Sequence, residues 1–184
     1  MGAKQSKLLF DAYGLRLTIA RLCEQLIERY ASFEDVFIIG LQPRGIYLAQ
    51  RLVDNLRRMD CQGFGIGFLD VTFHRAMDKQ AALTEAHETT ITQSVTGLNV
   101  LLVDDVLYTG KTVRAAMDAV LAYGTPKCVE LLVLVDRQNG RLMPIEANYV
   151  GRYVCTLSHE HVVLHLKEQG TTDGIWLKNF GSKT

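Results

Sequence analysis

Asp104 and Asp105 stand side by side directly after the apolar run Val100-Leu101-Leu102-Val103, and Thr109-Gly110-Lys111-Thr112 follows in the same loop. Neighbouring carboxylates raise each other's pKa, so a metal, hydroxyl donors or solvent must offset their repulsion. The threonine hydroxyls and the backbone N–H groups of a helix start form a ready anion site, with phosphate as its commonest occupant. An acid pair able to hold sugar hydroxyls beside a phosphate cradle suits a ribose 5-phosphate. The blander reading is a helix-capping acidic turn.

Two nucleotide signatures fail nearby. Gly110-Lys111-Thr112 imitates the end of a G-x-x-x-x-G-K-[ST] loop, but Asp105 occupies the first glycine position. Gly63-Phe64-Gly65-Ile66-Gly67 lacks the last glycine of G-x-G-x-x-G, because Phe68 stands there. Neither an ATPase nor a dinucleotide-dependent dehydrogenase is supported. His159, His161 and His165 alternate as they would along one face of a strand, which reads as a solvated stripe rather than a metal site. Cys23, Cys61, Cys128 and Cys155 lack zinc spacing and read as reduced thiols of a cytoplasmic protein. Met1-Gly2-Ala3-Lys4-Gln5-Ser6 fits a myristoylation pattern that is too short to carry weight.

The elements that must position this loop follow from periodicity. Lys7 to Tyr30 carries apolar residues at helical spacing, and Arg44 to Arg58 does the same. Val36 to Gly40, Gly63 to Val71, Val100 to Val103, Val129 to Val135, Tyr149 to Val154 and Val162 to Leu166 read as strands. A further helix through Val113, Met117, Val120 and Leu121 ends at Gly124 and Pro126. Thr72 to Leu98 is polar and reads as a mobile excursion. Strands alternating with helices predict a parallel α/β sheet, and such sheets bind ligands beyond the carboxyl ends of their strands.

The chain has 184 residues, and its 20 basic side chains balance 20 acidic ones, so bulk electrostatic coating of nucleic acid is excluded while a local basic patch is not. Its length predicts a single domain, residues 1–184. No apolar run approaches the ~18 residues of a membrane span.

Asn99 to Ala116, N-V-L-L-V-D-D-V-L-Y-T-G-K-T-V-R-A-A, resembles the phosphoribosyl-pyrophosphate (PRPP) motif of type I phosphoribosyltransferases, and more narrowly that of the PyrR family. Ile39 to Ala49 (I-G-L-Q-P-R-G-I-Y-L-A), Leu69 to Arg75 (L-D-V-T-F-H-R) and Leu134 to Arg137 (L-V-D-R) extend the similarity over most of the chain. The resemblance implies the type I fold: a mainly parallel central sheet flanked by helices, a flexible loop at about 72–98 and a small hood from about 137–180. It implies a uracil phosphoribosyltransferase, which converts uracil and PRPP to UMP and pyrophosphate with Mg²⁺ held mainly through PRPP and water. It also implies binding of a pyr mRNA leader for transcription attenuation, and a homodimer or higher homo-oligomer.

By that resemblance Asp104 and Asp105 bind the ribose hydroxyls, and Val106, Leu107, Tyr108, Thr109, Gly110, Lys111 and Thr112 hold the 5-phosphate. Arg44 and Gly45 form the pyrophosphate loop, where Pro43 replaces the threonine usual in the family. Arg75 contacts the departing pyrophosphate, although the acidic residues that commonly follow it are replaced by Ala76-Met77. Arg137, Tyr149, Val150 and Arg152 form the base site. Arg16, Arg21, Arg29 and Arg141 contribute an RNA face, against which Glu24 and Glu146 count. Two alternatives stand beside this reading: an RNA-binding attenuator with vestigial catalysis, and a transferase for another base such as a 6-oxopurine. Tyr108, where hypoxanthine-guanine enzymes carry Asp, favours a pyrimidine.

Overall fold

The computed structural model describes residues 6–71, 88–157 and 159–179. Five parallel strands form the central sheet in the order β3-β2-β4-β5-β6: β2 (Val36–Leu41), β3 (Gly65–Leu69), β4 (Asn99–Leu107), β5 (Cys128–Arg137) and β6 (Tyr149–Val154). Helices α1 (Ala12–Arg29), α2 (Gly45–Arg58) and α3 (Lys111–Val120) flank it. A second, antiparallel sheet of β1 (Ser6–Phe10), β8 (Gly174–Asn179) and β7 (Glu160–His165) forms the hood.

The apolar runs of the central strands are continuous because both faces are covered. Alternate residues divide between two cores: Ile38, Leu101, Val103, Leu132 and Leu134 pack with α1 and α2, and Phe37, Ile39, Val100, Leu102, Leu131 and Val133 pack with α3. Each such strand therefore needs β-branched and leucine side chains at every position rather than every second one. Asp11 starts α1 by accepting the Gly14 N–H at 2.7 Å.

Arg51 fastens the hood to α2. Its guanidinium reaches Glu168 at 2.6 and 2.8 Å and Asp173 at 2.7 and 3.1 Å. Both carboxyls are held below their ordinary range: the Arg51 hydrogen bond leads at Glu168, and at Asp173 that bond and its neighbours outweigh the opposing effect of burial.

Four expectations need correction. Residues 6–10 belong to a strand and not to the first helix, because their backbone pairs with β8. β6 belongs to the central sheet, where it pairs with β5, so the hood begins after it and recruits β1. β4 runs through the acid pair to Leu107, instead of ending at Val103. The excursion does not extend to residue 98: Thr90 donates to the Phe68 carbonyl at 2.8 Å and Val95 is fully buried. Arg75, His74 and His87 lie outside the described residues. No helix among the described residues is long and apolar enough to cross a membrane.

Candidate active site

The acid pair lies in the carboxyl half of β4, the strand that pairs with both β2 and β5, and both carboxyls are buried. Asp104 Oδ1 accepts the Asp105 N–H at 2.8 Å, and Asp105 Oδ1 accepts the Val106 N–H at 2.9 Å. Arg44, immediately before α2, brings its Nε to 2.7 Å from Asp105 Oδ2. The contact is one of charge, because the N–H is not aimed at the oxygen. Among the described residues, Arg44 Nε and Asp105 Oδ2 are the buried side-chain polar atoms without a hydrogen bond. The two ions touch without an aligned hydrogen bond, so each keeps hydrogen-bonding capacity that a ligand can take up.

Burial, reinforced by the Asp105 charge, holds the Asp104 carboxyl well above the ordinary carboxylate range, against the weaker pull of the Asp105 N–H and Arg44. Gly45 lets this cluster assemble. A Cβ there would lie 2.4 Å from the Val103 carbonyl oxygen and 3.2 Å from Asp104 Cα, so a glycine is required for α2 to start against β4.

Past Leu107 the chain bends through Tyr108, Thr109 and Gly110, and α3 begins at Lys111. Gly110, the N-cap residue, has a φ of 87°, in the left-handed region, and offers no side chain of its own to the helix start. Thr109 Oγ1 accepts the Lys111 N–H at 3.4 Å, and the positive end of the α3 dipole favours an anion at this turn. A strap from the β5–β6 connection supports this turn from behind: the Leu142 and Met143 N–H groups donate to the Thr109 carbonyl at 3.0 and 3.1 Å. Arg141 donates to the Tyr108 carbonyl at 2.7 Å and pairs with Asp136.

The structure thus brings Arg44, Gly45, Asp104, Asp105 and residues 106–112 together. It does not bring Tyr149 to them. Tyr149 is the first residue of β6, and its hydroxyl donates at 3.0 Å to Glu130, near the amino end of β5. The Val150 and Gly151 carbonyls accept from Arg21 at 3.2 and 2.8 Å, and Arg152 donates to the Leu9 carbonyl. These groups dock α1 and β1 onto the edge strand. Arg137 does stand at the carboxyl end of β5, where it donates to Thr156 Oγ1 at 3.0 Å and to the Glu160 carbonyl at 2.9 Å.

Three of the four arginines expected to meet RNA are committed to partners within the protein. Arg16, Arg21 and Arg29 lie on α1, with Arg29 bound to Glu130 at 3.1 Å, whereas Arg141 braces the turn after β4. Sequence reasoning missed that brace, for which the Asp136 and Arg141 spacing was the one available signal. No cluster of metal-ligating side chains exists among the described residues, and His165 packs edge-on against Trp176 at 4.9 Å.

An acid pair in the carboxyl half of a central strand, an arginine against it and a helix start just beyond, carried on this sheet and hood, define a type I phosphoribosyltransferase. Residues 9–169 match the phosphoribosyl transferase domain family. A protein named bifunctional protein pyrR from Enterococcus faecalis is 39% identical over 171 residues, covering 93% of this chain and 96% of its own. Its counterpart from Brevibacillus brevis is 40% identical over 167 residues, covering 90% and 92%. The chain belongs to the PyrR family of phosphoribosyltransferases. Solved hypoxanthine phosphoribosyltransferases share the fold: one from Trypanosoma cruzi has a TM-score of 0.74 at 18% identity over 97% of this chain and 94% of that one. One from Staphylococcus aureus has a TM-score of 0.69 at 22% identity, covering 92% and 90%.

Proposed function

We propose that this phosphoribosyltransferase acts on uracil, transferring the ribosyl 5-phosphate group of PRPP to give UMP and pyrophosphate. The observation that carries the reading is the buried Arg44–Asp105 ion pair, made without an aligned hydrogen bond, beside the start of α3. Asp104 and Asp105 accept hydrogen bonds from the two ribose hydroxyls. Thr109, Gly110, Lys111 and Thr112 hold the 5-phosphate, while Val106, Leu107 and Tyr108 carry the turn. Arg44 and Gly45 face the diphosphate, and Arg75 joins them.

Displacement at C1′ breaks the bond to pyrophosphate oxygen as the bond to the base nitrogen forms, and the base N–H proton passes to solvent. Charge that builds on the departing diphosphate is met by the Arg44 guanidinium, which can grip it through two N–H groups. Mg²⁺ would be held mainly through PRPP oxygens and water, with the Asp104 and Asp105 carboxyls as hard oxygen groups near those waters. When bound, the ion supplies neutralisation of diphosphate charge.

PRPP-dependent formation of UMP from uracil with Mg²⁺ tests the proposal, with guanine and hypoxanthine as rival acceptors. Turnover of uracil alone is expected; turnover of a 6-oxopurine in its place would overturn the base assignment. The bifunctional name of the relatives supports a second reading, a uridine-nucleotide-dependent attenuator that binds a pyr mRNA leader through Arg16 and the exposed side of α1. UMP-enhanced, salt-sensitive RNA binding is its signature. The commitments of Arg21, Arg29 and Arg141 within the protein favour catalysis as the primary role.

A further inference from the structure

Arg137 is a buried cation without a carboxylate hydrogen-bonded to it among the described contacts. Its exposure is 4%, and burial pushes the pKa of the guanidinium down. Its hydrogen-bond and ring partners are neutral: Thr156 Oγ1, the Glu160 carbonyl and the ring of Tyr108, whose centroid lies 3.7 Å from the guanidinium carbon; the Glu160 carboxylate acts on it only through its charge. A stacked cation is attracted by an aromatic face, and the attraction grows when water is excluded. Gly140 closes on the ring, since a Cβ there would lie 2.4 Å from Tyr108 Cε2. Tyr108 is therefore clamped, and one guanidinium ties it to the start of β7 and to the turn after β6.

The position of this bridge matters for the displacement. Arg44 and Gly45 place the diphosphate on the β2 side of the acid pair. Nucleophile and leaving group approach C1′ from opposite faces, so the incoming base must enter from the β5 and β6 side, where Arg137 ends its strand. Tyr108 belongs to the phosphate-holding turn, whereas Thr156 follows β6 and Glu160 opens β7, and both are bound by the residue that ends β5.

We propose that Arg137 is a positioning residue for the base: it holds the backbone around Thr156 and Glu160 in register with the Tyr108 turn, so that the nucleobase subsite is built from the phosphate site outward. This rests on the transferase reading above, and it differs from a direct contact between Arg137 and the base, because the guanidinium is occupied by the bridge. The bridge should act on ligands that carry a base and spare those that carry only the sugar phosphate.

Calorimetric binding of UMP and of ribose 5-phosphate to wild type, Arg137→Met and Arg137→Lys tests it, alongside the uracil KM and kcat. UMP affinity should fall about tenfold in Arg137→Met, the size expected when a charged group loses its hydrogen bonds, while ribose 5-phosphate stays within about threefold. The uracil KM should rise with kcat and the PRPP KM little changed. Arg137→Lys should not rescue, because an ammonium reproduces neither the planar stack nor the fork. Thr156→Val, which removes one acceptor and keeps the shape, should shift UMP in the same direction by about threefold and serves if Arg137→Met fails to fold. Equal losses for UMP and ribose 5-phosphate, an unchanged UMP affinity, or full rescue by lysine would each overturn the proposal. Wild type that binds UMP tightly but does not convert uracil would overturn the transferase reading and leave the positioning role standing; wild type that binds UMP no better than ribose 5-phosphate would overturn the positioning role.

Discussion

Two buried carboxylate centres occupy opposite ends of the same parallel sheet, and their surroundings treat them in opposite ways. Glu130, near the amino end of β5, receives hydrogen bonds from the Tyr30 hydroxyl, from Tyr149 at 3.0 Å and from Arg29 at 3.1 Å. Burial pushes its carboxyl up, but these three donors outweigh that effect and hold it below the ordinary range. Asp104, in the carboxyl half of β4, receives one backbone N–H, and burial with a neighbouring anion drives it the other way. One centre is complete and the other is not. A cavity by itself does not mark the site, because a hollow of about 610 Å³ lined by Tyr30, Asp35, Asn99 and Lys127 lies beside the completed centre. Asp35 there already accepts from Asn99 at 2.7 Å and faces Lys127 at 3.7 Å. Unspent hydrogen-bonding capacity, more than volume, separates a binding site from a structural one.

The largest effect should come from removing charge at the incomplete centre. Asp104→Asn keeps an oxygen for the Asp105 N–H but loses a buried anion that the ribose hydroxyls need. Its kcat/KM should drop about 100-fold or more, as when a preorganised electrostatic contact to a transition state is deleted. Stability should move the other way. A carboxyl with a raised folded pKa stabilises least at high pH: its ionisation in the unfolded chain favours unfolding as pH rises from the ordinary carboxylate value to the folded one. The ligand-free variant should therefore melt at a higher temperature than wild type at neutral pH, with the gap closing on acidification toward about 3.8. Equal melting temperatures at neutral pH would contradict a raised Asp104 carboxyl.

This contrast explains what the sequence could disclose. Asp104, Asp105 and the turn to Thr112 were legible because two acids at the end of an apolar run break the local rule for a buried strand, and such violations concentrate at functional sites. The central strands were legible through their fully apolar runs. β1 and β8 were not, since Ser6–Phe10 pairs with a segment at the far end of the chain, and a strand specified by a distant partner leaves little local periodicity. Tyr149 was misplaced for a related reason. Periodicity located β6 but did not say which of its ends faces the ligand; that follows from its parallel register with β5, in which Tyr149 lies beside Leu132.

Glu130→Gln should give the converse of Asp104→Asn. Stability should fall by about 1–3 kcal/mol, because two tyrosine hydroxyls and an arginine lose a charged acceptor, while turnover per folded molecule is unchanged. The linkage also reverses. With its folded pKa depressed, Glu130 contributes stability that is present above its unfolded value near 4.5 and lost as pH falls through the folded one, so wild type and variant should converge in acid. Denaturant titrations at several pH values measure this, and a gap that persists at the acidic end would contradict the hydrogen-bonded anion.

The smallest effect discriminates most finely between the two ends of the sheet. Burial and the Glu130 carboxylate push the Tyr149 phenol up to about 12, so it is a hydrogen-bond donor throughout the working pH range. Tyr149→Phe keeps the ring in the core and leaves Glu130 with Tyr30 and Arg29, so the loss should be about 0.5–1.5 kcal/mol, one ordinary hydrogen bond. Its uracil KM should match wild type, because the hydroxyl belongs to the amino-end centre. The substitution tests the placement of β6 directly: a uracil KM raised without a stability loss would return Tyr149 to the base subsite and require β6 to run in a different register, whereas a stability loss with an unmoved KM keeps the two carboxylate centres functionally separate.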